Sequence, residues 1–306
     1  MDHQAIESRL RGRPSDTTAW AAYSEWLSSH GDPRGKLIQL AQQRAILPVT
    51  SLRHAALGQE IEALAKQCGP GNVSLPDGAS AEWQHGFVIG LQLRLTEETA
   101  GKLRPFLASS DACLLRSLRF IPQGFELEEE EEDFDGPESI DTPPEPVQAQ
   151  AAFALSELDL RNIRQLAMPY CVIGAEGAAR LFSSAQMGPL LSLDLRYAYI
   201  ADAGLSTLAQ LPHLAGLRSL WLMRNAITSK GIQALASSPY LRELRLLDLR
   251  YNRIGPKGVQ ALAKSEVVRE LKVLQILRTE AKKAGAQALA KSVHLPLALR
   301  RRWRGL

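Results

Sequence analysis

The sequence predicts an α/β solenoid, with a parallel β-sheet on its concave face and helices on its convex face, preceded by a small α-helical N-terminal domain. The first observation is a pattern of apolar residues that recurs every 27 residues from Ile163 onward. The second is that each repeat joins a strand-like segment to a segment with helical spacing. The third is that the apolar residues of segment 1–70 have helical spacing but do not follow the 27-residue repeat. Self-similarity at a fixed period of this length is typical of solenoids.

The repeat is clearest from Leu244 to Ala263, where it has the form L-x-x-L-x-L-x-x-N-x-I-G-x-x-G-x-x-A-L-A. Five units, three before this one and one after it, share the register without an insertion. In each unit the first part places apolar side chains on one side of a strand, and the Gly-containing part places Ala and Leu on one helix face. A single unit cannot bury the apolar side of its strand and the apolar face of its helix by itself. Neighbouring units must therefore stack, with their strands paired in a parallel sheet.

This motif resembles the leucine-rich repeat, in the long, ribonuclease-inhibitor-like subtype whose helix carries G-x-x-x-L-A. The resemblance implies an Asn at the end of each strand, whose side chain bonds backbone groups that would otherwise be buried and unpaired. Asn225 and Asn252 occupy this position, whereas the two preceding units have Ala198 and Cys171 there. We expect Cys171 to be a small buried apolar residue with no redox role.

Residues 1–70 predict a domain of three helices. Trp20, Tyr23 and Leu27 share one face of the first helix, which Gly31 can end. The second helix has Asp32 as its predicted N-cap, with Pro33 at the first helical position, and runs to Pro48. The third runs from about residue 52 to residue 69.

The segment from Trp20 to Leu40 is similar to the repeat-companion domain of myxobacteria and planctomycetes, whose motif is roughly Y-A-D-W-L-E-E-R-G-D-P-R-G-E-F-I-R-L. The G-D-P-R-G core is complete at residues 31–35, whereas Ser28 and Ser29 replace an acidic pair and Lys36 replaces a Glu. In that family the module precedes repeat arrays and has no assigned activity. The resemblance therefore implies architecture and a bacterial lineage only.

Residues 71–125 predict degenerate N-terminal repeats that cap the sheet. A loop at residues 71–82 is followed by a strand at residues 88–95, a helix that begins after Thr96 and ends near Ser109, and a strand at residues 115–120. Solenoids require such caps at their ends. At the other end, residues 151–306 are predicted to comprise the repeats and a basic C-terminal cap, in which Trp303 packs onto the last repeat.

Acidic and basic residues are distributed unevenly along the chain. The segment 126–145 has 11 Asp and Glu and no Lys or Arg, and we predict that residues 126–150 form a disordered acidic loop. From Val147 onward there are 23 Lys and Arg against 10 Asp and Glu, so the repeat region is basic. The loop is interpreted as a tolerated surface insertion; the alternative is that it folds over the basic concave surface and competes with an acidic partner.

Nothing in the sequence indicates catalysis or a cofactor, and we predict that the protein is not an enzyme. The six His and three Cys have no metal-ligand or triad-like spacing. The Gly174-x-x-Gly177 and Gly255-x-x-Gly258 pairs recur at the repeat period, which indicates turn residues rather than phosphate loops. The first residues lack the apolar core of a signal peptide, and no run of about 18 apolar residues occurs. These features predict a cytoplasmic protein without a membrane partner.

The residues that face outward from the predicted strands form a basic and aromatic strip. Trp, Tyr and Arg dominate the binding energy of protein interfaces, so we predict that this strip binds a partner. The predicted partner-binding residues are Arg196, Tyr197, Arg218, Trp221, Met223, Arg224, Arg245, Arg250, Tyr251 and Arg278.

Several functions fit such a strip. The leading hypothesis is a non-enzymatic adaptor or scaffold that binds another protein through an acidic surface, for example a subunit of a larger bacterial assembly. One alternative is nucleic-acid binding, because Arg can pair with phosphates and Tyr or Trp can stack on bases. Another is an accessory or regulatory subunit of an enzyme complex. A fourth interpretation is that the Arg and Tyr residues only solvate the sheet face, in ladders with Asp194 and Asp248.

Overall fold

The computed structural model describes residues 2–122 and 146–304. The chain divides into two compact units. The first comprises Met1–Gln92 and Gly101–Ser117, and the second comprises Leu93–Ala100 and Leu118–Leu306.

The first unit is mainly helical and has four α-helices within residues 2–70 instead of the three predicted. The missed helix, α1, has few apolar positions and is capped by Asp2, whose carboxylate accepts the Gln4 N–H. The helices are α1 (His3–Gly12), α2 (Thr17–Ser29), α3 (Arg34–Ala45), α4 (Leu52–Cys68) and α5 (Thr99–Leu107), and the strands are β1 (Ser80–Gln84) and β2 (Phe87–Leu95). Short 3₁₀ helices lie at Pro70–Asn72 and Ser110–Ala112.

The strand β1 corrects the prediction of a loop at residues 71–82. It pairs with β2 in an antiparallel hairpin, so residues 80–82 belong to a strand and not to the predicted loop. The hairpin turn has His85 and Gly86 at φ 52° and 79°. Two positive φ angles in a two-residue turn match the right-handed twist of the flanking strands.

The core of the first unit confirms the predicted face of α2. Trp20, Tyr23 and Leu27 are each no more than 4% exposed and pack with Leu10 of α1 and Phe87 of β2. The Tyr23 hydroxyl donates to a carboxylate oxygen of Glu7 at 2.8 Å. Burial raises the pKa of the Tyr23 hydroxyl above its usual value.

The G-D-P-R-G core has a structural role at the turn between α2 and α3. Gly31 ends α2 with a φ of 74°. The helix α3 begins at Arg34, one residue later than predicted, and Asp32 accepts the Arg34 backbone N–H at 2.9 Å and pairs with its guanidinium at 2.5 Å. The guanidinium lies 4.1 Å from the centroid of the Phe87 ring. A Cβ at Gly35 would lie 2.7 Å from the Ser24 carbonyl oxygen, so glycine permits the close approach of the two helices.

The described part of the second unit has six strands in chain order along the sheet, joined by helices. The strands are β3 (Ser117–Pro122), β4 (Gln165–Ala167), β5 (Ser192–Asp194), β6 (Ser219–Trp221), β7 (Leu246–Asp248) and β8 (Val273–Gln275). The helices are α6 (Ala149–Leu155), α7 (Gly174–Phe182), α8 (Ala201–Leu208), α9 (Ser229–Ala236), α10 (Gly255–Ala263), α11 (Arg278–Lys291, with a break at Lys282) and α12 (Leu297–Arg301). Additional 3₁₀ helices lie at Pro212–Leu214 and Glu266–Val268.

The first two residues of α6 overlap the predicted end of the acidic loop at residue 150. Ala149 and Gln150 are therefore helical, which corrects that boundary. The acidic segment 126–145, for which disorder was predicted, lies outside the described residues.

The strands β4–β8 confirm the predicted parallel sheet and its register. Each strand residue pairs with the residue 27 positions later, as Gln165 with Ser192 and Ser192 with Ser219. The middle residues of the five strands are no more than 5% exposed and form the core side of the sheet: Leu166, Leu193, Leu220, Leu247 and Leu274. The sequence period is therefore also the spatial period.

The two asparagines at the strand ends bond the backbone as the resemblance implied. The Asn252 side-chain oxygen accepts the N–H groups of Asn225 and Ile227, each at 3.0 Å. The Asn252 amide donates to the Leu222 carbonyl of the preceding repeat at 2.8 Å. At the same repeat position Cys171 is fully buried, as predicted, and burial raises the pKa of its thiol to about 12.

A second set of hydrogen bonds, at the ends of the helices, also joins neighbouring repeats. The Ser238 hydroxyl donates to the Ala209 carbonyl, and the Ser265 hydroxyl donates to the Ala236 carbonyl, both at 2.5 Å. Ser184 and Ser292 make the equivalent bonds to residues 28 or 29 positions earlier. The sequence analysis missed this serine position, although its spacing of 27 residues from 238 to 292 is visible in the sequence.

Candidate functional site

The candidate site is the side of β4–β8 opposite the buried leucines, together with the residues that follow each strand; we call it the strand face. The last residues of the strands pair in register, so Trp221 lies between Asp194 and Asp248. Trp221 is half-buried, whereas the two aspartates are 7% and 0% exposed. A large aromatic side chain therefore stands between two acidic side chains that are turned away from solvent.

Each of these aspartates binds the arginine two residues later in its own repeat. Asp194 accepts Arg196 Nε at 3.0 Å and Nη2 at 2.7 Å, and Asp248 accepts Arg250 in the same way at 3.0 and 2.9 Å. The hydrogen bonds that the two arginines donate to these aspartates raise the pKa of both arginines. These four residues therefore form the Asp–Arg pairs that the fourth interpretation describes. The side chains of Arg196 and Arg250 nevertheless remain 31% and 33% exposed.

Four successive repeats place a tyrosine or arginine at the same position, and these side chains form one stack. The rings of Tyr170 and Tyr197 lie 4.4 Å apart between centroids, at an interplanar angle of 25°. The Arg224 guanidinium follows, 5.5 Å from the Tyr197 centroid and 4.8 Å from the Tyr251 centroid. These spacings approach the ~4.8 Å between neighbouring strands. We call these four residues the Tyr–Arg stack.

The backbone at the Tyr–Arg stack is left-handed throughout. Tyr170, Tyr197, Arg224 and Tyr251 have φ angles of 63°, 59°, 53° and 58°. Such angles are uncommon for residues other than glycine and persist only where surrounding bonds enforce them. The N–H groups of the first three residues bond carbonyl oxygens of the next repeat at 2.7–3.1 Å. Stacking of the repeats therefore fixes the direction of these side chains.

The structure brings together seven of the ten predicted partner-binding residues at the carboxyl ends of the strands, but it buries one of them. Arg224 is 7% exposed, so it is not the exposed contact that was predicted. Its position between two tyrosine rings is the reason. Arg196, Tyr197, Trp221, Met223, Arg250 and Tyr251 are half-buried and border solvent.

The other three predicted residues lie apart from this group. Arg218 precedes β6 and Arg245 precedes β7, so both lie at the opposite end of the parallel strands. Both side chains are exposed. Arg218 lies 3.9 Å from a carboxylate oxygen of Glu243. Arg278 is exposed at the start of α11, in the last repeat. The predicted strip therefore has an aromatic group near the strand ends and separate arginines around it.

Features of other kinds of site are absent from the described residues or are inert. Among residues 2–122 and 146–304, no group of three or more His, Cys, Asp or Glu could hold a metal ion. Burial raises the pKa of Cys113 to about 11, so this thiol stays protonated near neutral pH. In the same part of the chain, none of the helices has both the length and the apolar character needed to span a bilayer.

Comparison with known families agrees with the repeat geometry. A family model described as Leucine Rich repeat matches residues 216–236 and 239–263. This match supports leucine-rich repeats within residues 216–263. The matched stretches include β6 with α9 and β7 with α10, and hence Trp221, Arg224 and Tyr251 of the strand face. No curated protein matches the chain.

Sequence reasoning missed two aspects of the site. It did not include Tyr170 among the partner-binding residues, although the positions 170, 197, 224 and 251 are separated by the repeat period. It also missed that Arg302 of the C-terminal segment lines a cavity with Arg250 and Arg278. No repeat pattern connects Arg302 with these residues, so only the fold could reveal that cavity.

Proposed function

We propose that this protein is a non-enzymatic adaptor or scaffold that uses the strand face of its leucine-rich repeats to bind another protein through an acidic surface. Leucine-rich repeats commonly mediate protein–protein interaction. The observation that carries the proposal is the group of half-exposed Trp221, Met223 and Tyr251 among arginines. A face that only interacted with water would need no tryptophan or methionine at its centre.

The Tyr–Arg stack supports a role in binding because it orders side chains in advance. Immobilising flexible side chains costs free energy on association, and a surface whose rotamers are already held avoids part of that cost. Tyr197 and Tyr251 are each held by the Arg224 guanidinium between them. Five strands at ~4.8 Å spacing extend the face by roughly 20 Å, which suits a contact of about 800 Å² per partner.

The charge of the repeats supports an acidic partner. From residue 147 onward the chain has 23 Lys and Arg against 10 Asp and Glu. Arg218, Arg245 and Arg278 are exposed around the aromatic group, where they can steer an acidic surface towards it.

The Tyr–Arg stack also favours a protein partner over a nucleic acid. Single-stranded nucleic acids bind by stacking bases on the faces of aromatic side chains. In the stack one face of Tyr197 contacts Tyr170, and Arg224 lies against both Tyr197 and Tyr251. These contacts leave fewer ring faces for bases, whereas the ring edges remain suitable for a protein surface. An accessory subunit of an enzyme complex would use the same surface in the same way.

We further propose a bacterial cytoplasmic setting for this adaptor. Its cysteines Cys68, Cys113 and Cys171 are free thiols, which suits a reducing compartment. The similarity of residues 20–40 to the repeat-companion domain supports the bacterial origin, and the G-x-x-x-L-A helices support the ribonuclease-inhibitor-like subtype.

The proposal is tested by affinity capture from a native lysate of the source organism with the tagged full chain. We expect Trp221→Ala and Tyr251→Ala each to reduce recovery of the bound protein at least tenfold, because central aromatic residues carry most interface energy. The matched control is Gln233→Ala, an exposed substitution on α9. Circular dichroism verifies that all variants are folded. Unchanged recovery with both aromatic variants, or equal loss with the control, would contradict the proposal.

A further inference from the structure

A cavity of about 280 Å³ lies at the last repeat, beside the strand face. Arg250, Arg278 and Arg302 form its cationic wall, and Leu274, Ile276 and Trp303 form its apolar wall. The apolar residues are only 5–8% exposed, so they are fixed in the core. Trp303 thus packs onto the last repeat as predicted and also lines this cavity.

The three arginines differ in how far their charges are neutralised. Arg250 is bound by Asp248. Arg278 Nη2 lies 3.4 Å from the backbone carbonyl of Arg302, which carries no net charge. Within the described chain, neither Arg278 nor Arg302 forms an ion pair with a carboxylate, and both are exposed. The wall of the cavity therefore presents two uncompensated positive charges and a third that is partly compensated.

Two acidic residues of the last two repeats already accept hydrogen bonds from other groups. Glu280 follows Arg278 on α11, but one carboxylate oxygen accepts the Asn252 N–H at 2.5 Å and the other accepts the Leu277 N–H at 3.2 Å. Asp248 is fully buried against Arg250. Among residues 2–122 and 146–304, neither Glu280 nor Asp248 therefore neutralises Arg278 or Arg302.

We propose that this cavity is an anion-binding site that takes a carboxylate carried on an apolar or aromatic group of the partner protein. Arginine is suited to this role because its planar guanidinium bonds a carboxylate through two N–H groups. The volume lies just below the ~300–1,000 Å³ of small-molecule sites, which fits a single residue of the partner. This inference rests on the proposed function and assigns one anchor of the partner to the end of the strand face.

The carboxylate can belong to the partner's C-terminal residue or to an acidic side chain, and two probes distinguish these sources. N-acetylphenylalanine presents a terminal carboxylate on an aromatic residue, and N-acetylglutamic acid α-amide presents a side-chain carboxylate. N-acetylphenylalanine amide is the neutral control. Binding is followed by NMR through the indole N–H resonance of Trp303, which is assigned with Trp303→Phe.

We expect saturable shifts of the Trp303 indole resonance with at least one carboxylate probe and none with the neutral amide. The probe with the higher affinity identifies the source of the carboxylate. Absence of a shift with both carboxylates, or an equal shift with the neutral amide, would overturn the inference.

Matched variants locate the binding at this cavity. We expect Arg278→Gln and Arg302→Gln each to weaken the responsive probe about tenfold, since each removes a charge-assisted pair. Arg301→Gln is the control, because Arg301 is exposed next to Arg302 but does not line the cavity. An equal loss in all three variants would indicate attraction to general positive charge and would also overturn the inference.

The outcome can be separated from that of the proposed function. If Trp221→Ala abolishes partner capture while both carboxylate probes fail, the strand face binds a protein and the cavity does not bind its carboxylate. If a probe binds while both aromatic variants leave capture unchanged, the cavity is an anion site and the proposed function is wrong.

Discussion

Arg224 shows how its neighbours decide whether an arginine on the strand face is a surface residue or a packed one. Arg196 and Arg250 occupy another repeat position, where an aspartate two residues earlier binds them. Arg224 instead lies between the rings of Tyr197 and Tyr251 and is almost fully buried. Its guanidinium therefore packs against the two tyrosine rings and is largely shielded from solvent.

We expect Arg224→Ala to destabilise the protein by ~1–2 kcal/mol, because it removes two cation–π contacts and the packing of the side-chain stem. Urea unfolding followed by circular dichroism measures the change. Arg218→Ala, an exposed substitution in the same repeat, is the control and should stay within ~0.5 kcal/mol of the wild type. Equal effects of the two substitutions would show that the stack contributes nothing to stability.

The sequence allowed part of this residue-level chemistry to be predicted. The tripeptide D-L-R occurs at positions 159–161, 194–196 and 248–250, and in all three the aspartate binds the arginine that follows. That recurrence could have identified the pairs in advance. The burial of Arg224 could not be predicted in this way, because it depends on rings 27 residues away on both sides.

At the scale of the elements, a glutamate of the last repeat makes the hydrogen bond that an asparagine makes in the repeat before it. Asn252 accepts the Asn225 N–H, and in the next repeat a carboxylate oxygen of Glu280 accepts the Asn252 N–H. Thr279 occupies the position that the repeat period assigns to the asparagine. The sequence could not predict this replacement, because only two residues lie between β8 and α11, which places Glu280 within the first turn of the helix.

Burial makes this glutamate sensitive to pH. Desolvation raises the pKa of Glu280 from 4.5 to about 7 in the folded protein. Between these values the folded state holds a proton that the unfolded state has released, so stability falls as pH rises from about 4.5 to about 7. The maximum size of the effect is ~3 kcal/mol.

We therefore expect the wild type to lose more stability than Glu280→Gln when the pH increases from ~5 to ~8, since the variant has no titrating group at this position. The measurement is the urea midpoint of both proteins at several pH values. The difference between the two curves isolates Glu280 from the other carboxylates. Parallel curves would mean that Glu280 titrates normally.

At the scale of the whole molecule, the period of 27 residues was sufficient to predict the parallel sheet, its register and its buried leucines. The helix α1 and the β1–β2 hairpin were not predicted, because neither belongs to the repeat and each depends on local caps and turns. Among the site residues, the repeat predicted which ones share the strand face. It could not predict that Arg302 would approach the last repeat.

The excess of positive charge in the repeats leads to an expectation for binding kinetics. Raising NaCl from ~20 to ~500 mM should lower the association rate constant of the captured partner about tenfold and change the dissociation rate constant much less, because long-range steering is screened by salt. Surface plasmon resonance measures both constants. Trp221→Ala serves as the contrast, since it should mainly raise the dissociation rate constant. Association that does not depend on salt would rule out an acidic partner.

The constant register of β4–β8 has a consequence for how such a surface can change in evolution. Each internal repeat contributes one strand, so an in-frame duplication of residues 218–244 would lengthen the sheet by ~4.8 Å. The backbone pairing of every other repeat could be kept, because each repeat contacts only its neighbours. The length of the partner-binding surface can thus change by whole repeats, while the anion cavity stays at one end of it.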